Sequence, residues 1–83
     1  MKQYLVETYV AKGAADLPAA SAKARAAAEE VTRQGQFVRY LRSILLPEDE
    51  TWFHLFEGES EHAVARASEA AGLGRGRIVE AIQ

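Results

Sequence analysis

Two runs rich in aromatic and branched residues, Gln36–Leu46 and Thr51–Glu57, flank the tetrapeptide Pro47-Glu48-Asp49-Glu50. Proline cannot donate to a strand ladder and aspartate disfavours one, so the tetrapeptide predicts a turn and the runs predict the two arms of a β-hairpin. Alternation along the second arm puts Trp52, His54 and Phe56 on one face and Thr51, Phe53, Leu55 and Glu57 on the other. A single strand histidine therefore stands between two large rings.

Upstream, Gln3–Val10 alternates Tyr4, Val6 and Thr8 against Leu5, Glu7 and Tyr9, which predicts a first strand. Ala11–Ala15 is a loop around Gly13. Asp16, with Pro18 two positions on, marks a helix start, because its carboxylate accepts from free first-turn amides and proline fits there. From Ala19 to Gln34 the chain is dominated by alanine. Ala20, Ala24, Ala27, Ala28 and Val31 form a narrow apolar stripe, and Gly35 suits the left-handed position after the helix. Downstream, Ser60 predicts an N-cap for a second helix running to about Ala71, with Ala63, Val64, Ala67, Ala70 and Ala71 as its apolar side and Gly72 as its stop. Leu73-Gly74-Arg75-Gly76 reads as a flexible link, and Arg77–Gln83 as a short last strand.

Strand, helix, strand, strand, helix, strand is the ferredoxin-like βαββαβ order. It predicts an α+β fold: one domain over residues 1–83, an antiparallel sheet in spatial order 4-1-3-2, and two helices on one face. A chain of 83 residues buries a modest share of its surface, so a disulfide, a metal or a partner subunit commonly supplements its core. With no cysteine, disulfides, thiolate metal sites and thiol chemistry are excluded. Ten basic and twelve acidic residues, well mixed for a net charge of −2, leave no electrostatic footprint for nucleic acid or an anionic membrane. The start MKQYLVETYV has neither a long apolar core nor a small-residue cleavage site, so a cytoplasmic location is expected.

Two helices cover one side of a four-stranded sheet. Placing Val6, Phe53, Leu55, Val79 and Ala81 under them leaves Leu5, Glu7, Tyr9, Trp52, His54, Phe56, Ile78, Glu80 and Ile82 on an open face too apolar for water. A second copy packed sheet to sheet would cover it, giving a homodimer of the dimeric α/β-barrel type with a cavity between the sheets. The hairpin's first arm carries Arg39 on one face and Arg42 on the other, and one of them is expected to point towards the cavity.

On this phase Glu7, His54 and Glu80 converge. Two carboxylates and an imidazole suit a divalent cation such as nickel or zinc. The same groups could do acid/base work, with His54 as the titrating residue and Glu7 beside it. Equally, the two carboxylates could pair with arginines across an interface around a hydrogen-bonded His54. Tyr9, Arg39, Arg42, Trp52 and Phe56 would line a pocket for a small molecule between the sheets. His62, beside Glu59 and Glu61, is an exposed histidine on the first turn of the second helix. The acidic turn lacks the spaced ligands and glycine of a calcium loop. The glycines of the last link follow a helix, so they do not form a phosphate cradle.

The stretch VRYLRSILLPEDETWFHLFEGES (Val38–Ser60), with YLVETY (Tyr4–Tyr9) before it and RIVEAI (Arg77–Ile82) after it, resembles a family of small single-domain proteins common in actinobacteria. That family is largely of unknown function and includes nickel-binding members. The resemblance spans nearly the whole chain. It implies a ferredoxin-like fold, homodimerisation and binding of nickel, and His54 and Glu7 match positions in its recurrent pattern.

Overall fold

The computed structural model describes residues 1–11, 13–73 and 76–83. The elements are β1 (Lys2–Tyr9), α1 (Leu17–Arg33), β2 (Val38–Leu46), a 3-10 turn (Pro47–Asp49), β3 (Thr51–Gly58), α2 (Glu61–Ala70) and β4 (Arg77–Ala81). The sheet is antiparallel in the order β2-β3-β1-β4, which is the expected 4-1-3-2 read from the other edge. The architecture is the ferredoxin-like βαββαβ fold. No described helix is long and apolar enough to cross a membrane.

Local chemistry accounts for the element ends. The Ala19 amide donates to Asp16 Oδ1 at 3.1 Å, and the Ala63 amide donates to Ser60 Oγ at 3.1 Å, so both helices begin on the side-chain caps their sequences provide. Gly35, at φ +108°, turns the chain out of α1 through the left-handed region. Between the hairpin arms, Glu50 takes up the left-handed conformation and its amide donates to the Pro47 carbonyl at 3.2 Å.

The core lies between the helices and one sheet face. Ala24, Ala27, Ala28 and Val31 from α1, and Ala63, Val64 and Ala67 from α2, are all buried. Side chains this small let the helices approach closely, and the sheet supplies the bulk: Tyr4, Val6, Tyr40 and Phe56 fill the gap.

That division of volume corrects the expected faces. Antiparallel partners share a face, and the ladders pair Val6 with both His54 and Ile78, Tyr4 with Phe56 and Glu80, and Thr8 with Trp52. Val6 is under the helices and Leu5, Glu7 and Tyr9 are on the open side, as expected for β1. In β3 and β4 the phase is inverted. Trp52, His54, Phe56 and Ile78 lie on the helix side, while Phe53, Leu55, Val79 and Ala81 face away. Glu80 is on the helix side at the sheet edge, where it meets Lys2 at 3.4 Å. Ile82 lies past the end of β4, 88% exposed. The cause is steric: two alanine-faced helices need the larger of the two β3 sets beneath them.

In β2 the alternation is broken. The register shifts between Tyr40 and Arg42, with Arg39 opposite Glu57 and Arg42 opposite Leu55. A bulge at Leu41 thus turns both arginines to the open face and both Tyr40 and Ser43 to the helix side. Of the link expected at Leu73–Gly76, Gly74 and Arg75 lie outside the described residues. Gly76 is a packing position: a Cβ there would overlap the Glu7 carbonyl oxygen and stand 2.8 Å from Thr8 Cγ2, so glycine lets the chain enter β4 against β1.

Candidate functional site

His54 occupies the middle of β3, an inner strand, under the helices and with no exposed surface. Its imidazole tilts against the Trp52 ring, centroids 5.0 Å apart. Both ring nitrogens are engaged by hydroxyls. Ser43 Oγ is 2.7 Å from Nδ1 and Thr8 Oγ1 is 3.3 Å from Nε2.

The contacts continue on both sides and have one direction. Thr8 Oγ1 donates to the Trp52 carbonyl at 3.5 Å, so it accepts from His54 Nε2–H. His54 Nδ1 is then the acceptor for Ser43. Ser43 accepts from the Tyr40 hydroxyl at 2.6 Å, and Tyr40 accepts from Ser21 at 3.0 Å. The chain Ser21–Tyr40–Ser43–His54–Thr8 satisfies a neutral imidazole completely. Burial pushes the His54 pKa down from 6.5 to about 4, because the cation would lose its hydration. Protonation would also oblige Nδ1 to donate where it now accepts.

Of these partners, Ser21, Ser43 and Thr8 have ordinary helix or strand explanations in the sequence. Ser43 reaches His54 only because of the bulge at Leu41, which leaves no signal in alternation. Trp52 carries a buried indole N–H with no hydrogen-bond partner among the described residues.

The expected metal trio is separated by the sheet. His54 and Glu80 are on the helix side, in different ladder rows, and Glu7 is on the open side between Phe53 and Arg77. Among the described residues no group of three or more His, Asp or Glu side chains could hold a metal ion. One chain alone therefore does not fit a nickel centre: the imidazole nitrogens are both taken, and Glu80 is paired with Lys2. The expected pocket is divided too. Tyr9, Arg39 and Arg42 face the open side, whereas Trp52 and Phe56 are buried opposite. His62 is exposed on α2, as expected, while the neighbouring Glu59 accepts from the Phe37 amide at 2.7 Å.

The open face keeps its apolar character with different residues. One row across the sheet is Arg42, Leu55, Leu5, Val79, and the next is Ile44, Phe53, Glu7, Arg77. Tyr9, Ile44 and Leu46 are exposed and Leu5, Phe53 and Val79 are half-buried. Arg39 bonds Glu57 at 3.0 Å, and Glu7 makes no ion pair among the described residues.

A family model described as nickel responsive protein, SCO4226-like, matches residues 4–81. The chain belongs to that family. The match takes in both helices, β2, β3 and β4, and β1 from Tyr4 onward. No curated protein and no solved structure matches the chain.

Proposed function

We propose that this nickel-responsive family member is a cytoplasmic divalent-cation-binding homodimer, nickel first, closed through the open sheet face. The observation that supports this reading is Glu7, a carboxylate without an ion-pair partner among the described residues, set in an apolar face of Leu5, Phe53, Leu55 and Val79. Apposing two copies would remove that apolar surface from water. It would also bring carboxylates from both chains into a partly desolvated space, where they need a cation or a guanidinium. Carboxylate oxygen completes the shell of a borderline divalent ion readily. His54 takes no part, being enclosed and hydrogen-bonded on both nitrogens.

The test is titration calorimetry of nickel, and then zinc, into chelator-treated protein, with mass by light scattering. Micromolar or tighter binding by a dimer is expected. Glu7→Gln weakens it at least tenfold, Phe53→Asp abolishes both dimer and binding, and His54→Gln leaves both in place. A monomeric protein, or nickel binding lost in His54→Gln and kept in Glu7→Gln, overturns the reading.

A further inference from the structure

Between α1 and the edge strand β2 lies a cavity of about 440 Å³, at the edge of the sheet. Its size is in the range of small-organic-ligand sites. Ala28, Phe37 and Val38 give it an apolar floor, and the Tyr40 ring one wall. The cavity is built in advance of any ligand. Thr32 Oγ1 donates to the Val38 carbonyl at 2.8 Å and accepts from the Val38 amide at 3.0 Å, pinning helix to strand at the cavity's end.

Its charges are arranged unequally. Arg39, on the strand side, is already shared with Glu57 at 3.0 Å. Arg25 makes no ion pair among the described residues, and its guanidinium carbon stands 5.5 Å from the Tyr40 ring centroid. A guanidinium held by an aromatic face, with no acid engaging it, keeps its fork of N–H donors available to an incoming anion. Glu29, one helical position-set away on the same side of α1, is the one carboxylate of the lining. Of the two arginines in the lining only Arg25 is without an ion pair among the described residues, and one available guanidinium suits a singly charged head. The apolar floor favours a hydrocarbon body and gives a bare inorganic anion nothing to bury.

We propose that the α1–β2 cavity binds a small amphipathic monocarboxylate, its carboxylate on Arg25 and its apolar body on Ala28, Phe37 and Val38. The site meets the open face only at Arg39, which Glu57 already holds, and it calls for no cation there.

The test is a proton–nitrogen correlation NMR titration of the full chain with octanoate, beside octan-1-ol as its uncharged counterpart and inorganic phosphate as a bodiless anion. Saturable octanoate shifts centred on Ala28, Phe37 and Val38 are expected, with both controls much weaker. Arg25→Gln, an exposed change whose folding the same spectrum reports, should weaken octanoate by about tenfold or more, the usual scale for a charged hydrogen-bond partner. Glu29→Gln should tighten it. The proposal is overturned if octanoate fails to saturate, if octan-1-ol binds equally well, if Arg25→Gln leaves affinity unchanged, or if the shifts centre on Leu5 and Phe53.

Discussion

On the helix side of the sheet Val6, His54 and Phe56 have no exposed surface, while on the other side Leu5, Phe53 and Val79, of similar bulk and in the same strands, remain half-buried. Both faces are largely apolar, so composition does not separate them. Their cover does: the alanine stripes of α1 and α2 lie over one face, and no described helix lies over the other, where Leu55 is buried but Leu5, Phe53 and Val79 are not. The polar groups differ accordingly. The covered face tolerates His54, Thr8 and Ser43 because each finds a hydroxyl, imidazole or carbonyl partner, whereas the open face carries the charged groups Glu7, Arg39, Arg42 and Glu57. Burial selects for hydrogen-bond closure, and exposure permits charge.

The sharpest comparison uses the same residue type on opposite faces of β3. Phe56→Ala empties a fully buried site and should cost about 3–5 kcal/mol, the scale for a core phenylalanine. Phe53→Ala, made on the half-buried side and measured in urea at concentrations low enough for monomer, should cost well under half as much. Equal costs would mean that something besides the helices covers the open face even in the single chain.

Acid should find the covered face next. The unfolded chain binds a proton at His54 from about pH 6.5 downward, whereas the folded chain does so only near pH 4. Between those values the unfolded state holds more protons, so stability falls as pH falls and the loss is complete below about pH 4. The gap corresponds to about 3 kcal/mol. Carboxylates titrate in the same window, so the quantity to measure is the difference between the parent and His54→Gln in urea midpoint from pH 7 to pH 4. The parent's curve should be steeper, and parallel curves would show that His54 protonates without cost in the fold.

The same contrast explains what was legible in the sequence. The element order, both N-caps and the glycine after each helix are local chemistry, decided within a few residues, and they could be read directly. The phase of β3 could not, because Trp52, His54 and Phe56 compete with Phe53 and Leu55, and alternation between two apolar sets does not say which set is covered. The deciding quantity was the small volume of Ala24, Ala27, Ala28, Ala63 and Ala67, which demands large sheet residues opposite. The alanine faces of the helices are what put His54 inside and separate it from Glu7. The bulge at Leu41 had no counterpart in composition, so the convergence of Ser43 on His54 and of both arginines on one face came only with the ladder register.

Gly76 offers a smaller effect on the boundary between the faces, at the start of β4. In the sequence it is one glycine of a link, and in the fold it is the point where the chain passes closest to β1. Gly76→Ala must push back the Glu7 carbonyl, which belongs to the backbone and yields little. A cost of about 1–3 kcal/mol is expected, typical of overpacking. It should appear as faster amide exchange along Arg77–Ala81 before it appears elsewhere. Unchanged exchange there would show that β1 gives way without loosening β4.

The smallest expected effect belongs to the Arg39–Glu57 pair on the open face. Its side chains are 63% and 21% exposed, so screening by water leaves it worth less than about 1 kcal/mol in the single chain. The two partners are not equivalent, because Glu57 is the more enclosed. Arg39→Ala should therefore cost slightly more than Glu57→Gln, since it leaves a half-buried carboxylate without its cation. If copies of the chain close over this face, the pair loses water and the cost of breaking it grows. Measuring Arg39→Ala against the parent across a dilution series then reports on the cover itself. A cost that rises with concentration fits a pair enclosed between copies, and a constant one puts the pair outside whatever the open face docks against.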